Sequence, residues 1–200
     1  MSPAPLPVLP REVPQAAQNG RRRFCAWFLR LCGWKMDGEF PRVSKAVLIV
    51  APHSSWWDGV WALFFKAALG LDASFMAKRE LFSTPLGWLL RYMGGVPIER
   101  SASHGVVEQM VDRFAGSDRF WLALAAEGTR KSVKKWKTGF WHIAHDAKVP
   151  ILMLYFHYPE KTFGVGPLIH TTDDMEADMQ RIRAFYRPWM GKNRGTLPPE

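Results

Sequence analysis

A histidine and an aspartate stand with four residues between them in His53-Ser54-Ser55-Trp56-Trp57-Asp58. An imidazole that shares its proton with a carboxylate is a common way for a protein to make a general base near neutral pH. On one continuous helix, five steps rotate the chain by about 500° and leave the two side chains well apart. They meet only if His53 precedes a helix and Asp58 lies in its first turn. Ser54 and Ser55 suit such a junction, because a seryl oxygen accepts from the free N–H groups of a helix start. Asp58 would then accept from one imidazole nitrogen, leaving the other to take a proton. The same residues also read as an ordinary capping box, Ser55-x-x-Asp58, with Asp58 serving only the helix end.

The elements that must position this pair are legible around it. Ala46-Val47-Leu48-Ile49-Val50-Ala51 is an apolar run that reads as a buried strand ending at Pro52. The pair is thereby delivered to the end of a strand, where α/β proteins place their ligands. Phe120 to Ala126 is a second strand-like run and ends directly at Glu127; Val149 to Phe156 is a third, with a helical stretch from Gly139 to Ala147 between them. Residues 173–190 begin with the capping candidates Asp173 and Asp174 and align Met175, Met179, Ile182 and Tyr186 on one helical face. This alternation predicts an α/β fold, a layered mixed β-sheet flanked by helices, in a single domain over residues 21–200.

Three further segments follow in order: Gly95-Val96-Pro97-Ile98-Glu99-Arg100, Glu127-Gly128-Thr129-Arg130 and Val149-Pro150-Ile151. With the H-x-x-x-x-D hexapeptide, they make the chain over about residues 46–155 resemble the glycerolipid acyltransferases, whose familiar members acylate lysophosphatidic acid. The resemblance implies that His53 is the general base and Asp58 its orienting partner. It also implies that Arg100 and Arg130 hold the acceptor's phosphate, that Gly128 and Thr129 shape the turn that brings Arg130 in, and that Glu127 fixes that loop. Lys78, in Ala77-Lys78-Arg79-Glu80-Leu81, falls where relatives often carry a lysine near the acceptor. The implied donor is acyl-CoA or an acyl carrier protein, and the implied acceptor is a lysophospholipid, foremost 1-acyl-glycerol-3-phosphate. Another lyso-lipid acceptor and a non-catalytic anionic-lipid binding module are the alternatives. No cofactor or metal is implied.

Those residue types suit the chemistry. An acceptor hydroxyl becomes a nucleophile when an imidazole removes its proton as the oxygen attacks a thioester carbonyl, worth roughly 10²–10⁴-fold in rate. Guanidinium groups are permanently charged and fork onto two phosphate oxygens. A backbone N–H near the helix start is the expected oxyanion stabiliser.

Composition sets the partners. The 200 residues carry 27 Lys and Arg against 18 Asp and Glu, a formal charge of +9, with ten Trp and thirteen Phe. Such a surface attracts anionic lipid, acidic carrier proteins or coenzyme A phosphates. Nucleic acid is disfavoured, since no zinc-finger spacing, RNP-like run or glycine-rich phosphate loop is present. Arg130, Lys131, Lys134, Lys135 and Lys137 form the densest basic cluster, either a solvated loop or a dock for headgroups or the donor's carrier. Trp56 and Trp57 read as cleft lining or, more commonly, as core.

Residues 1–20, with five prolines, read as a flexible leader. Residues 21–37 read as an amphipathic helix bearing Arg23, Phe24, Trp27, Phe28, Arg30, Leu31 and Trp34, suited to an anionic membrane surface or to docking on the domain. No run of 18 apolar residues and no secretory signal appears, so the expected location is peripheral, on the cytoplasmic side of the membrane. Cys25 and Cys32 would lie about 10 Å apart on a helix, too far for a disulfide. His142 and His145 lack a third metal ligand, and Ser54 lacks the G-x-S-x-G elbow of a serine hydrolase.

Overall fold

The computed structural model describes residues 6–16, 20–98, 103–131, 133 and 136–196. In chain order the elements are α1 (Gly20–Leu31), β1 (Lys35–Asp37), β2 (Lys45–Ala51), α2 (Trp56–Leu69), β3 (Ser74–Lys78), α3 (Arg79–Phe82), α4 (Gly87–Tyr92), β4 (Gly95–Ile98), α5 (Ser103–Ala115), β5 (Phe120–Ala125), α6 (Gly139–Asp146), β6 (Ile151–His157), β7 (Thr162–Ile169) and α7 (Met175–Tyr186). The strands form one sheet in the order β1-β7-β6-β2-β5-β3-β4. β6, β2, β5, β3 and β4 run parallel, whereas β7 runs antiparallel to β6, and β1 pairs parallel with β7. The layered mixed sheet expected from the alternation of runs is thus present.

β2 is apolar throughout, without alternation, because helices cover both faces of the sheet. Val47, Ile49 and Ala51 face a core shared with Met110 and Phe114 of α5, Phe140 of α6 and Ile182 of α7. Ala46 and Leu48 face a second core with Leu29 of α1 and Phe65 of α2. β2 is also central, so its carboxyl end is flanked by those of β5 and β6. The residues that leave these three strands are therefore brought to one edge.

α7 closes the first core. Asp174 caps it through Ala177 N–H (3.0 Å), and the buried Asp178 accepts from Trp141 Nε1 (2.9 Å) and Thr172 N–H (2.7 Å). The Tyr186 hydroxyl, fully buried, reaches the carbonyls of Ile49 (2.7 Å) and Leu154 (3.0 Å), tying the end of α7 to β2 and β6. Residues 187–196 consequently start beside the site edge.

Two expectations need correction. The helix expected over residues 21–37 ends at Leu31: Gly33 turns the chain at φ +78°, Trp34 N–H bonds back to Leu29 O at 2.9 Å, and residues 35–37 become an edge strand on β7. A glycine readily adopts that left-handed conformation at a helix end, so Gly33 is a stop signal. Nor is the proline-rich stretch a flexible leader over residues 6–16. Leu9 and Val13 are buried in the second core, Asp72 N–H donates to Pro14 O, and Ala16 N–H donates to Gly70 O, both at 2.9 Å. Prolines interspersed with apolar residues make an extended strap that docks without needing a ladder. Residues 1–5 and 17–19 lie outside the described residues. Cys25 and Cys32 are both free thiols.

The strap's docking has a measurable consequence. Val13→Ala should lower unfolding stability by about 2 kcal/mol, read as a reduced urea midpoint at unchanged m-value. A leader without contacts would show no change.

Candidate active site

His53 follows β2 by one proline, and the turn to α2 is built as the spacing requires. Ser55 is the N-cap, extended at φ −146°, and its hydroxyl accepts from Trp57 N–H at 3.3 Å. Asp58 Oδ2 accepts from the N–H groups of Ser54 (2.7 Å) and Ser55 (2.8 Å) and lies 3.4 Å from His53 Nδ1. The capping box and the His–Asp pair are therefore the same structure. Asp58 caps the helix with one oxygen and orients the imidazole with it as well. With Nδ1 turned to the carboxylate, Nε2 is the nitrogen left to accept a proton.

Asp58 is 1% exposed, so burial alone would raise its pKa. Hydrogen bonds from His53, Tyr158, Ser55 and Ser54 outweigh that and hold it below the usual carboxylate range. The Tyr158 bond is short, its hydroxyl donating to Asp58 Oδ1 at 2.6 Å. Burial and that carboxylate together push the Tyr158 phenol well above its ordinary value, so it stays a donor. Tyr158 packs edge-on against Trp34, with ring centroids 5.2 Å apart.

Glu127 stands two residues past the end of β5 and is as buried as Asp58. Its Oε1 accepts His53 N–H at 2.7 Å and its Oε2 accepts Arg194 Nη2 at 2.5 Å. Burial raises its pKa despite these donors. The turn after it depends on Gly128, at φ +66°, where a Cβ would come within 2.7 Å of Lys137 Cγ. Thr129 Oγ1 then accepts Lys131 N–H at 3.2 Å. This turn carries Arg130 to α2, where its guanidinium stacks over the Trp56 ring at 4.0 Å.

The fold therefore brings His53, Asp58, Glu127, Gly128, Thr129 and Arg130 together. Lys78 ends β3 with its main chain in register with Ile98 of β4, at the same edge of the sheet. Arg100, Lys134 and Lys135 lie outside the described residues. Trp56 and Trp57 are 63% and 48% exposed, which overturns their reading as core. Trp57, Trp61, Phe28 and Phe24 instead form a continuous series of ring contacts from the first turn of α2 to the exposed face of α1. The N–H groups of His53, Ser54, Ser55 and Trp57 are all committed to protein acceptors. These four bonds set the geometry of the base. His145 stacks on Trp141, with centroids 4.5 Å apart.

With this geometry in hand, known proteins give its context. The family model for acyltransferases matches residues 35–156, more than half of the chain. The chain belongs to this acyltransferase family. The match takes in His53, Asp58 and Glu127. A 1-acyl-sn-glycerol-3-phosphate acyltransferase of Streptococcus pneumoniae is 34% identical over 136 residues, covering 63% of this chain and 50% of that protein. A lysophosphatidylcholine acyltransferase of Drosophila melanogaster is 30% identical over 135 residues, 63% of this chain and 24% of that protein. The chain thus spans half or less of the length of these curated relatives. The crystal structure of the 1-acyl-sn-glycerophosphate acyltransferase PlsC of Thermotoga maritima shares the fold, with a TM-score of 0.57 at 17% identity over 82% of this chain and 74% of that one.

Tyr158 and Arg194 are missing from the sequence reading. Tyr158 stands just past an apolar strand-like run, as His53 and Glu127 do, and that position was its signal. Arg194 lies in the turn Gly191-Lys192-Asn193-Arg194-Gly195, with no motif to mark it.

Tyr158→Phe removes one of the donors that hold Asp58 ionised. Asp58 stabilises the fold above the ordinary carboxylate pKa and loses that contribution as pH falls through its depressed folded value. The variant should therefore be less stable by about 1.5–3 kcal/mol at pH 7, with the deficit shrinking at acid pH below the ordinary carboxylate range. Urea melts at neutral and acid pH measure this; a deficit independent of pH would assign the loss to packing.

Proposed function

We propose that this acyltransferase moves a fatty acyl group from an acyl thioester, acyl-CoA or acyl carrier protein, to the hydroxyl of a lysophospholipid in phospholipid biosynthesis. The preferred acceptor is 1-acyl-glycerol-3-phosphate. The observation that carries the reading is His53 with Nδ1 against an ionised, buried Asp58 at the carboxyl end of the central strand. His53 Nε2 takes the acceptor's proton as its oxygen forms a bond to the thioester carbonyl carbon. The tetrahedral intermediate collapses, the carbon–sulfur bond breaks, and the imidazolium returns the proton to the departing thiolate. Asp58 steadies the imidazolium while it exists.

The S. pneumoniae relative supports the choice of acceptor, since its name specifies 1-acyl-sn-glycerol-3-phosphate. Arg130 suits the phosphate. Cation–π attraction holds it on the face of Trp56, in the first turn of the helix that also carries Asp58.

The same reading places the enzyme on a membrane. No helix of the described residues is long and apolar enough to cross one. Phe24, Trp27 and Leu31 of α1 and Trp56, Trp57 and Val60 of α2 are all exposed, with Arg21, Arg23 and Arg30 exposed on α1 beside them. An aromatic face rimmed by arginines suits shallow insertion into anionic lipid, and the cytoplasmic leaflet is the expected surface.

Two measurements test this. Thiol release from acyl-CoA and acyl carrier protein thioesters, with a panel of lyso-lipids, should require one acceptor and fall roughly 10²–10⁴-fold in His53→Ala. Release without any acceptor would mean a thioesterase, and none from folded, lipid-binding protein would mean a binding module. Trp27→Asp with Leu31→Asp should weaken sedimentation with phosphatidylglycerol vesicles by roughly tenfold or more. Unchanged binding would make α1 purely structural.

A further inference from the structure

Residues 190–196 form a turn that the reaction above leaves unused, yet it touches each of the three loops that build the site. Tyr158 N–H donates to Met190 O (2.9 Å), and Met190 N–H donates to His157 Nδ1 (3.2 Å). Asn193 N–H and Nδ2 donate to Ser54 Oγ (3.1 Å) and Ser54 O (2.8 Å). Arg194 Nη2 meets Glu127 Oε2 (2.5 Å) and Lys131 O (2.7 Å), with the carbonyls of Arg130 (3.2 Å) and His53 (3.4 Å) further out. Gly191 permits the close approach: a Cβ there would lie 2.7 Å from Ser54 Oγ and 2.8 Å from Arg194 O.

We propose that Arg194 is a positioning residue for the transfer reaction, holding the His53 main chain in place through Glu127 and clamping it to the loop that carries Arg130. Glu127 is buried, with one oxygen on His53 N–H and the other on Arg194. Its carboxylate is the link between the guanidinium and the base. Without Arg194, a buried carboxylate keeps its full desolvation penalty and loses its charged partner. It relieves that penalty by taking up a proton or turning to water, and either response loosens the N–H of His53. The imidazole has its Nδ1 held 3.4 Å from Asp58, so a small shift of its own backbone moves Nε2 relative to the acceptor hydroxyl. Misplacement by about 1 Å is enough to slow a reaction of this kind by about 10²-fold. The arginine touches no reacting atom; it acts on the base through Glu127 and through the carbonyls of His53, Arg130 and Lys131 that it ties together.

The inference rests on His53 being the base, and the test separates the two ideas. Wild type, His53→Ala, Arg194→Ala and Arg194→Lys are compared for acceptor-dependent thiol release, thermal midpoint and the ¹⁵N–¹H spectrum. Arg194→Ala should stay folded and lose about 10²-fold in kcat, with KM for both substrates changed less than about threefold. Arg194→Lys should recover part of that loss. Millimolar guanidinium ion should restore activity to Arg194→Ala but not to His53→Ala, a rescue that a general stability defect would not show. The His53 amide resonance should move upfield in Arg194→Ala as its bond to Glu127 weakens. Unchanged kcat in folded Arg194→Ala, or a loss proportional to unfolded protein without rescue, overturns the proposal. If Arg194→Ala does not fold, Arg194→Lys carries the test: it keeps the charge, loses the fork and should lower kcat about tenfold, and full kcat overturns the proposal. If wild type releases no thiol, the base assignment fails, and the His53 amide still reports whether Arg194 holds the loop.

Discussion

Two carboxylates, Asp58 and Glu127, are each about 1% exposed at the carboxyl edge of the sheet, and the site is arranged around keeping them charged without water. An ionised carboxylate in that position is tolerable only if its lone pairs are filled by donors. Asp58 is supplied by two backbone N–H groups, a phenol and an imidazole. Glu127 is supplied by one backbone N–H and one guanidinium. The donors come from the segments that leave β2 and β6 and, for Arg194, from the chain that follows α7, so satisfying the carboxylates also fixes those segments against each other. His53 is the residue common to both, with its ring on Asp58 and its amide on Glu127.

The two carboxylates are not equivalent. Asp58 is over-supplied with donors and sits below the usual carboxylate range, which suits a group that must stay negative beside an imidazole about to become positive. Glu127 is supplied more thinly, and burial leaves it above its ordinary value. It serves as a tie between loops, and the tie depends on a turn near residue 194 that packs there because Tyr186 anchors α7 to β2 and β6. Core packing on one face of the sheet thus reaches the site through the chain that follows α7. On the other face, α1 and α2 share a series of ring contacts from the exposed Trp57 through Trp61 and Phe28 to the exposed Phe24.

Local chemistry made much of this readable. Ser55 and Asp58 at capping-box spacing specify a helix start, and a histidine just before it has few places to point. Apolar runs ending at His53 and Glu127 announce buried strands with polar residues at their tips. The glycine in Glu127-Gly128-Thr129-Arg130 marks a turn that a Cβ would obstruct. Where the reading failed, the missing information was tertiary. The aromatic pattern runs past Leu31 to Trp34 because Trp34 is buried by packing, while Gly33 ends the helix between them. Prolines over residues 6–16 suggested a free leader because composition carries no record of the hollow into which Leu9 and Val13 fit.

Sequence alone determined the strand ends, the capped helix and the family, because the first two rest on residues within a few positions of one another and the family on short local motifs in a fixed order. Only the tertiary structure decided which distant donors complete the carboxylates. Tyr158 is 100 residues from Asp58, and Arg194 is 67 from Glu127. A buried charge accepts a donor from any segment that reaches it with the right geometry. Strand order and core packing decide which segment does, and no local pattern encodes them.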